Sequence, residues 1–332
     1  MLGAIRLAKK RISAHFPAII SIFEWFIISV FIAVCVGSAI ALFLVSLEKV
    51  TDFRVENSDI IYLLPLAGLL IGYVFKRWGK EVNPGNNLII ENIHNPKRVI
   101  PFRMAPFILL GTVVTHLFGG SAGREGTAIQ IGGAISDQFT KLLKLNKEKR
   151  KMILISGMSA GFGAVFGTPI AGAIFGLEVY HIGKLRYNAI FPAFTSAIIA
   201  DYVTRWFGIH HTHYQLGNVP AVDVELILFT ILAGIAFGFA SLLFSKATEK
   251  ISHLGKKFVK QSYYRPVIGG VVVLAITALL GTHKYLGLGI PTIVEAFTVQ
   301  QSPEVFFLKI IFTAITLGCG FKGGEVTPLF FI

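Results

Sequence analysis

Apolar residues gather into eight runs along this chain, at 17–47, 60–75, 104–118, 152–177, 189–200, 226–244, 267–280 and 305–317. A helix needs roughly 20 apolar residues to cross a hydrocarbon core. The longest runs satisfy that, and only Glu24 interrupts the first. Others are too short to span, and this unevenness predicts broken and re-entrant helices beside full crossings. The fold class expected is therefore an all-α polytopic membrane protein. No long linker or low-complexity tract divides it, so one membrane domain is expected. It has two halves, 17–206 and 221–332, joined by a polar stretch at 207–220. Residues 1–16 read as a basic amphipathic helix lying on the inner membrane surface.

The polar positions between the runs set the orientation. Arg6, Lys9, Lys10 and Arg11 precede the first run; a predicted loop at 48–59 carries four acids against two bases; Lys76, Arg77 and Lys80 follow the second run. That alternation follows the positive-inside rule and puts the N-terminus in the cytoplasm. The net charge of +13 is thus explained by short loops and does not point to nucleic acid. With 54% hydrophobic residues, the chain is not an ordinary soluble domain. Cys35 and Cys319 lie in apolar runs and imply no disulfide. At 157–176, three glycine pairs at four-residue spacing predict close helix packing, broken at Thr168-Pro169.

One pattern recurs. Residues 120–127 (GSAGREGT) and 320–327 (GFKGGEVT) both read G-x-x-G-x-E-x-T, at an offset of 200 positions. A glycine-rich break before a helix leaves backbone N–H groups unsatisfied, and with the helix dipole these attract an anion. Inside a bilayer, broken backbone persists only where it lines a cavity. Segments 83–87, 123–127 and 323–327 are three such candidates, as an inverted-repeat transporter requires at the midplane. Glu125 is then an acid where an anion should bind. Competition resolves this: ionised, its carboxylate fills the site; protonated, it leaves and admits a free anion. A low-dielectric setting favours the neutral carboxyl and makes that switch accessible.

On these residues the chain resembles the CLC family of chloride channels and anion/proton antiporters. Gly123-Arg-Glu-Gly-Thr127 is similar to that family's gating-glutamate segment, G-[KR]-E-G-P. Gly85, Asn86 and Asn87 sit where its G-S-G-I-P segment belongs, and residues 161–178 resemble its glycine-rich helical stretch. Asn86 stands for the usual serine, Thr127 for proline, and 323–331 (GGEVTPLFF) for the G-x-F-x-P segment. Val179, next to Glu178, stands where antiporters of the family often carry an inner proton-relay glutamate. These departures are similar to the fluoride-exporting branch.

The resemblance implies a CLC-type inverted-repeat fold with its second repeat incomplete, and fluoride/proton antiport across the plasma membrane, with a chloride channel or antiporter as the alternative. It implies Glu125 as gate and proton carrier and Glu325 as a second proton site. The anion is expected on Gly85, Asn86, Asn87, Gly123, Arg124, Gly126, Thr127, Gly323, Gly324, Thr327 and Phe331. Fluoride is small and strongly hydrated, so amide and hydroxyl donors and a positive ring edge suit it. A homodimer in the full-length form is implied; no cofactor, metal or enzymatic role is expected. The chain ends at Phe331-Ile332 inside an apolar run, which reads as a fragment.

Other polar groups are weaker candidates. His210, His211 and His213 have poor spacing for zinc and read as loop residues. Glu24 is expected near the inner interface. Glu178 is a possible lining group of a water pathway. An intramembrane enzyme using Glu125 and His116 is a remote alternative.

Overall fold

The computed structural model describes residues 2–179, 186–212, 214 and 221–332, with side chains from residue 19 onward. The described residues form fourteen α-helices and no β-strand beyond one isolated bridge. His213 lies outside them, and so do the side chains on which the amphipathic reading of 1–16 rests.

The helices are α1 (Leu2–Glu56), α2 (Leu64–Arg77), α3 (Asn86–His94), α4 (Met104–Leu117), α5 (Glu125–Ser136), α6 (Gln138–Leu142), α7 (Lys147–Phe166), α8 (Pro169–Glu178), α9 (Ile190–Trp206), α10 (Val224–Phe258), α11 (Arg265–Leu280), α12 (Ile290–Ala296), α13 (Pro303–Gly318) and α14 (Val326–Phe331). Among the described residues, four helical stretches are long and apolar enough to cross a membrane: 19–56, 58–77, 224–258 and 262–280. Several others, such as the 14-residue α4, are too short to span a full core, as the uneven runs predicted.

The loop expected at 48–59 is a correction. Residues 48–56 are the last turns of α1, because neither glycine nor proline interrupts the chain between Ala39 and Asn57. The acids there are turned outward on a continuing helix.

The chain forms two compact units. The first comprises Met1–Ala41, Asn87–Phe102 and Gly132–Ile209. Here α7, α8 and α9 pack on one another, with the glycines at the contacts. A Cβ on Gly172 would come within 2.6 Å of the Gly163 Cα, so only hydrogen allows this approach. The break between α7 and α8 falls where the sequence placed it: Gly167 closes α7 in a left-handed conformation (φ 72°), and Pro169 opens α8. A buried network ties this unit together. Arg150 pairs with Asp137 at 2.7 Å and donates to Asn92 Oδ1 and the Arg98 carbonyl. Asp137 also accepts from the Ile100 N–H and the Thr140 hydroxyl. Every charge there is matched, which is what a buried pair requires to be tolerated. Glu24 pairs with Lys149 at 3.2 Å, and Glu178 is exposed at the last position of α8.

The second unit comprises Leu42–Asn86, Arg103–Ile131 and His210–Ile332. Within it α2 packs against α11, and α10 against α13. Helix α10 buries only Phe244 and presents apolar side chains outward along its length, as a lipid-facing span does. Both copies of the glycine-rich pattern lie in this unit.

Candidate functional site

The two copies meet each other. Gly123 and Gly324 exchange backbone hydrogen bonds, N–H to carbonyl at 2.6 and 2.7 Å, forming the one isolated β-bridge among the described residues. Around this bridge the two copies bond reciprocally: the Ser121 N–H donates to the Thr316 hydroxyl at 3.2 Å, and the Lys322 N–H to the Thr115 hydroxyl at 3.3 Å. Gly119 (φ 85°) and Gly320 (φ 103°) turn the chain at the ends of α4 and α13.

These equivalent positions (115 and 316, 119 and 320, 121 and 322, 123 and 324) are 201 apart, not the 200 of the sequence pattern. Helix α5 begins at Glu125 and α14 at Val326, again 201 apart. The structural repeat is thus shifted by one residue from the sequence repeat. Glu125 corresponds to Val326, and Glu325 corresponds to Arg124. Two glutamates that look alike in the sequence have different places.

Glu125 is fully buried. Its Oε2 accepts from the Arg124 N–H at 3.0 Å and the Thr327 N–H at 3.1 Å, and the Thr327 hydroxyl donates to Oε1. The carboxylate therefore reaches across the bridge to the first turn of α14, whose N–H groups have no partner within the helix. The Arg124 guanidinium stands 3.9 Å away, with a buried Nε that has no hydrogen-bond partner. Short glycines permit this geometry: a Cβ on Gly324 would sit 2.7 Å from the Gly126 N, and one on Gly126 would sit 3.1 Å from the Gly324 Cα.

Asn86 opens α3 and brings its amide to the same place. Its Nδ2 would be 3.3 Å from a Cβ on Gly126, and its Oδ1 is buried without a partner. Gly85, at φ 63°, turns the chain into α3 against Gln130, while Asn87 is exposed. Thr127 is buried, and its hydroxyl shares a 2.6 Å bond with Thr112. Glu325 precedes α14 with an exposed side chain and no capping bond. Gly323, at φ 155°, abuts Ala122. Phe331 lies one turn beyond Thr327, over Gly289, with its ring centre 5.1 Å from Lys309 Nζ.

The structure thus gathers Glu125, Arg124, Gly123, Gly126, Gly324, Thr327 and Asn86. It directs the Thr127 hydroxyl to Thr112 and the Phe331 ring to Lys309. Sequence reasoning passed over Lys309. It is fully buried in α13 and donates to the carbonyls of Tyr285 (3.1 Å) and Gly287 (2.8 Å). A lone cation inside the apolar run 305–317 was the available signal. His116 is also fully buried, its ring between the carbonyl oxygens of Thr112 (2.9 Å) and Ala122 (3.0 Å). Arg54 donates to the His116 carbonyl at 2.8 Å. Among the described residues no cluster could hold a metal ion.

Residues 67–332 match the voltage gated chloride channel family. A chloride/fluoride channel protein of Pseudomonas syringae pv. tomato is 48% identical over 315 residues, which cover 93% of this chain and 70% of that one. An H+/Cl− exchange transporter of Yersinia pestis is 25% identical, and this chain spans 62% of its length. Among solved structures, a CLC-type fluoride/proton antiporter superposes with a TM-score of 0.88 at 32% identity, covering 92% of this chain and 78% of that one. A slow cyanobacterial Cl−/H+ antiporter shares the fold, with a TM-score of 0.77 at 19% identity. The chain belongs to the voltage gated chloride channel family, the CLC proteins, which carry anions across membranes.

Proposed function

We propose that this protein is a fluoride/proton antiporter that exports fluoride, with Glu125 as gate and proton carrier. One observation carries the reading. The Glu125 carboxylate sits on the Thr327 N–H and hydroxyl and the Arg124 N–H, donors that suit a small free anion equally well. A charge-assisted bond of this kind weakens when the carboxylate takes up a proton. The neutral side chain then swings off α14, the donors accept an anion, and the departing acid carries the proton. Return of the ionised carboxylate expels the anion. Proton and anion thus exchange through one set of donors.

Fluoride is favoured by the compact donors around it. Asn86 brings an amide beside Gly126, and the names of the Pseudomonas relative and the 32% identical structure both include fluoride. Glu325, exposed and unbonded, is a second proton site on the path. The assembly is a homodimer in the plasma membrane with a cytoplasmic N-terminus. Chloride transport on the same site is the alternative, since the Pseudomonas and Yersinia relatives' names include chloride. Anion efflux from liposomes holding the purified protein separates the two: fluoride should leave faster than chloride, and chloride efflux equal to or above fluoride overturns the selectivity.

A further inference from the structure

We propose that an anionic phospholipid of the cytoplasmic leaflet binds the second unit, its phosphate in a basic cavity at the inner end of α2 and an acyl chain in the apolar groove along α2.

The basic cavity has a volume of about 580 Å³. Five cations from separate segments line it: Lys76 at the end of α2, Lys80 beyond it, Lys256 in the last turn of α10, Arg265 at the start of α11, and Lys322 ahead of α14. No carboxylate lines it among the described residues. Lys322 donates to Asn83 Oδ1 at 2.9 Å and lies over the Phe75 ring; Lys76 lies over the Tyr263 ring at 4.4 Å; Arg265 Nε donates to the Val259 carbonyl. None of these partners is an anion. Like charges held around one void repel one another, and a phosphate relieves that.

A second cavity of about 520 Å³ is walled by Leu63, Leu66, Leu69, Leu70, Tyr73 and Tyr263, with Phe118 beside them. The two linings draw on consecutive residues, Gly72 and Tyr73 on α2 and Ser262 and Tyr263 on the turn before α11, where Gly72 packs on the Tyr263 backbone. From Leu63 to Tyr73 the helix rises about 15 Å, half of a hydrocarbon core of about 30 Å. One leaflet's acyl chain fits that length. Tyr73 and Trp78, ring edge to ring face, mark the interface level between groove and cations. Any lipid-facing helix offers apolar grooves, and inner loops are commonly basic. What points to a phospholipid is their adjacency along α2, in head-to-tail order. Lys322 also stands two residues before Gly324, so an occupied phosphate site adjoins the bridge that holds Glu125.

Native mass spectrometry of the full chain, with phosphatidylglycerol or phosphatidylcholine added, tests the site. Phosphatidylglycerol should remain bound under activation that strips phosphatidylcholine. The combined variant Lys76→Gln, Lys80→Gln, Lys256→Gln and Arg265→Gln should lower its occupancy by about tenfold or more. Leu66→Trp with Leu70→Trp, both exposed positions, should block the lipid and leave binding of inorganic phosphate unchanged. Equal retention of the two lipids overturns the proposal, as does full retention by the combined variant. Phosphate binding without a lipid adduct also overturns it and marks a solute site or an aqueous vestibule. A flux arm rests on the transport reading above: fluoride efflux should be faster from phosphatidylglycerol vesicles than from phosphatidylcholine vesicles in the wild type, and equal in the combined variant. Lipid-dependent adducts without any flux would refute the transport reading and leave the lipid site standing.

Discussion

The segments before α5 and α14 have the same backbone and opposite chemistry. Each ends a helix on a threonine-bonded turn, passes a left-handed glycine, pairs through one glycine and starts a new helix. The first puts an acid at the helix start and turns it onto its neighbour. The second puts Val326 there, and offers Thr327 as the receiving donor. A repeat fixes where backbone donors converge; side-chain differences between its copies decide which copy carries the acid and which receives it.

The largest effect should come from closing the contact between the copies. Gly324→Val places a Cβ 2.7 Å from the Gly126 N and 3.0 Å from the Glu125 N, and backbone cannot yield as a side chain does. Destabilisation of about 3 kcal/mol or more is expected, read as a lower melting temperature in detergent together with lost transport. Gly238→Ala in α10, with nothing within 4 Å, is the matched control and should melt like the wild type.

Next comes the cation behind the second copy. Lys309→Met strips the donor from the carbonyls of Tyr285 and Gly287 and should cost about 2 kcal/mol in the same melting assay. A wild-type melt would show that these bonds contribute nothing.

A smaller and more discriminating effect separates Thr327 from Thr127, paired in the sequence pattern but not in the structure. Thr327→Val removes a hydroxyl donor from the Glu125 carboxylate, worth about 1.5–3 kcal/mol for a charged acceptor. Anion leak uncoupled from protons should rise by about tenfold. Thr127→Val breaks only the bond to Thr112 and should lower stability by about 1 kcal/mol with coupling intact. Equal uncoupling by both would show that the Thr127 hydroxyl serves coupling as the Thr327 hydroxyl does. The smallest effect belongs to the exposed Lys149–Glu24 pair: Lys149→Ala should change stability by less than about 1 kcal/mol.

Much of the architecture was legible because membrane helices announce themselves by length and apolarity. The break at Thr168-Pro169 and the three helix starts at 86, 125 and 326 follow from glycine and proline placement. The end of α1 was misplaced because acids at 48–56 look like a loop although nothing there stops a helix. The Gly-Arg-Glu-Gly segment pointed to Glu125 from the sequence alone. Its partner was harder: the pattern matched glutamate to glutamate, whereas backbone hydrogen bonds pair the copies one residue further on. Lys309 was passed over because one cation in thirteen residues barely disturbs an apolar run, and its carbonyl partners come from a turn more than 20 positions away.

The central claim is that Glu125 alternates between the donors of the second copy and a proton. The most direct test is simultaneous measurement of fluoride and proton flux in liposomes for the wild type and Glu125→Gln. The account predicts coupled flux in the wild type and, in the variant, fluoride movement with no accompanying protons. Proton transport that persists in Glu125→Gln would contradict it.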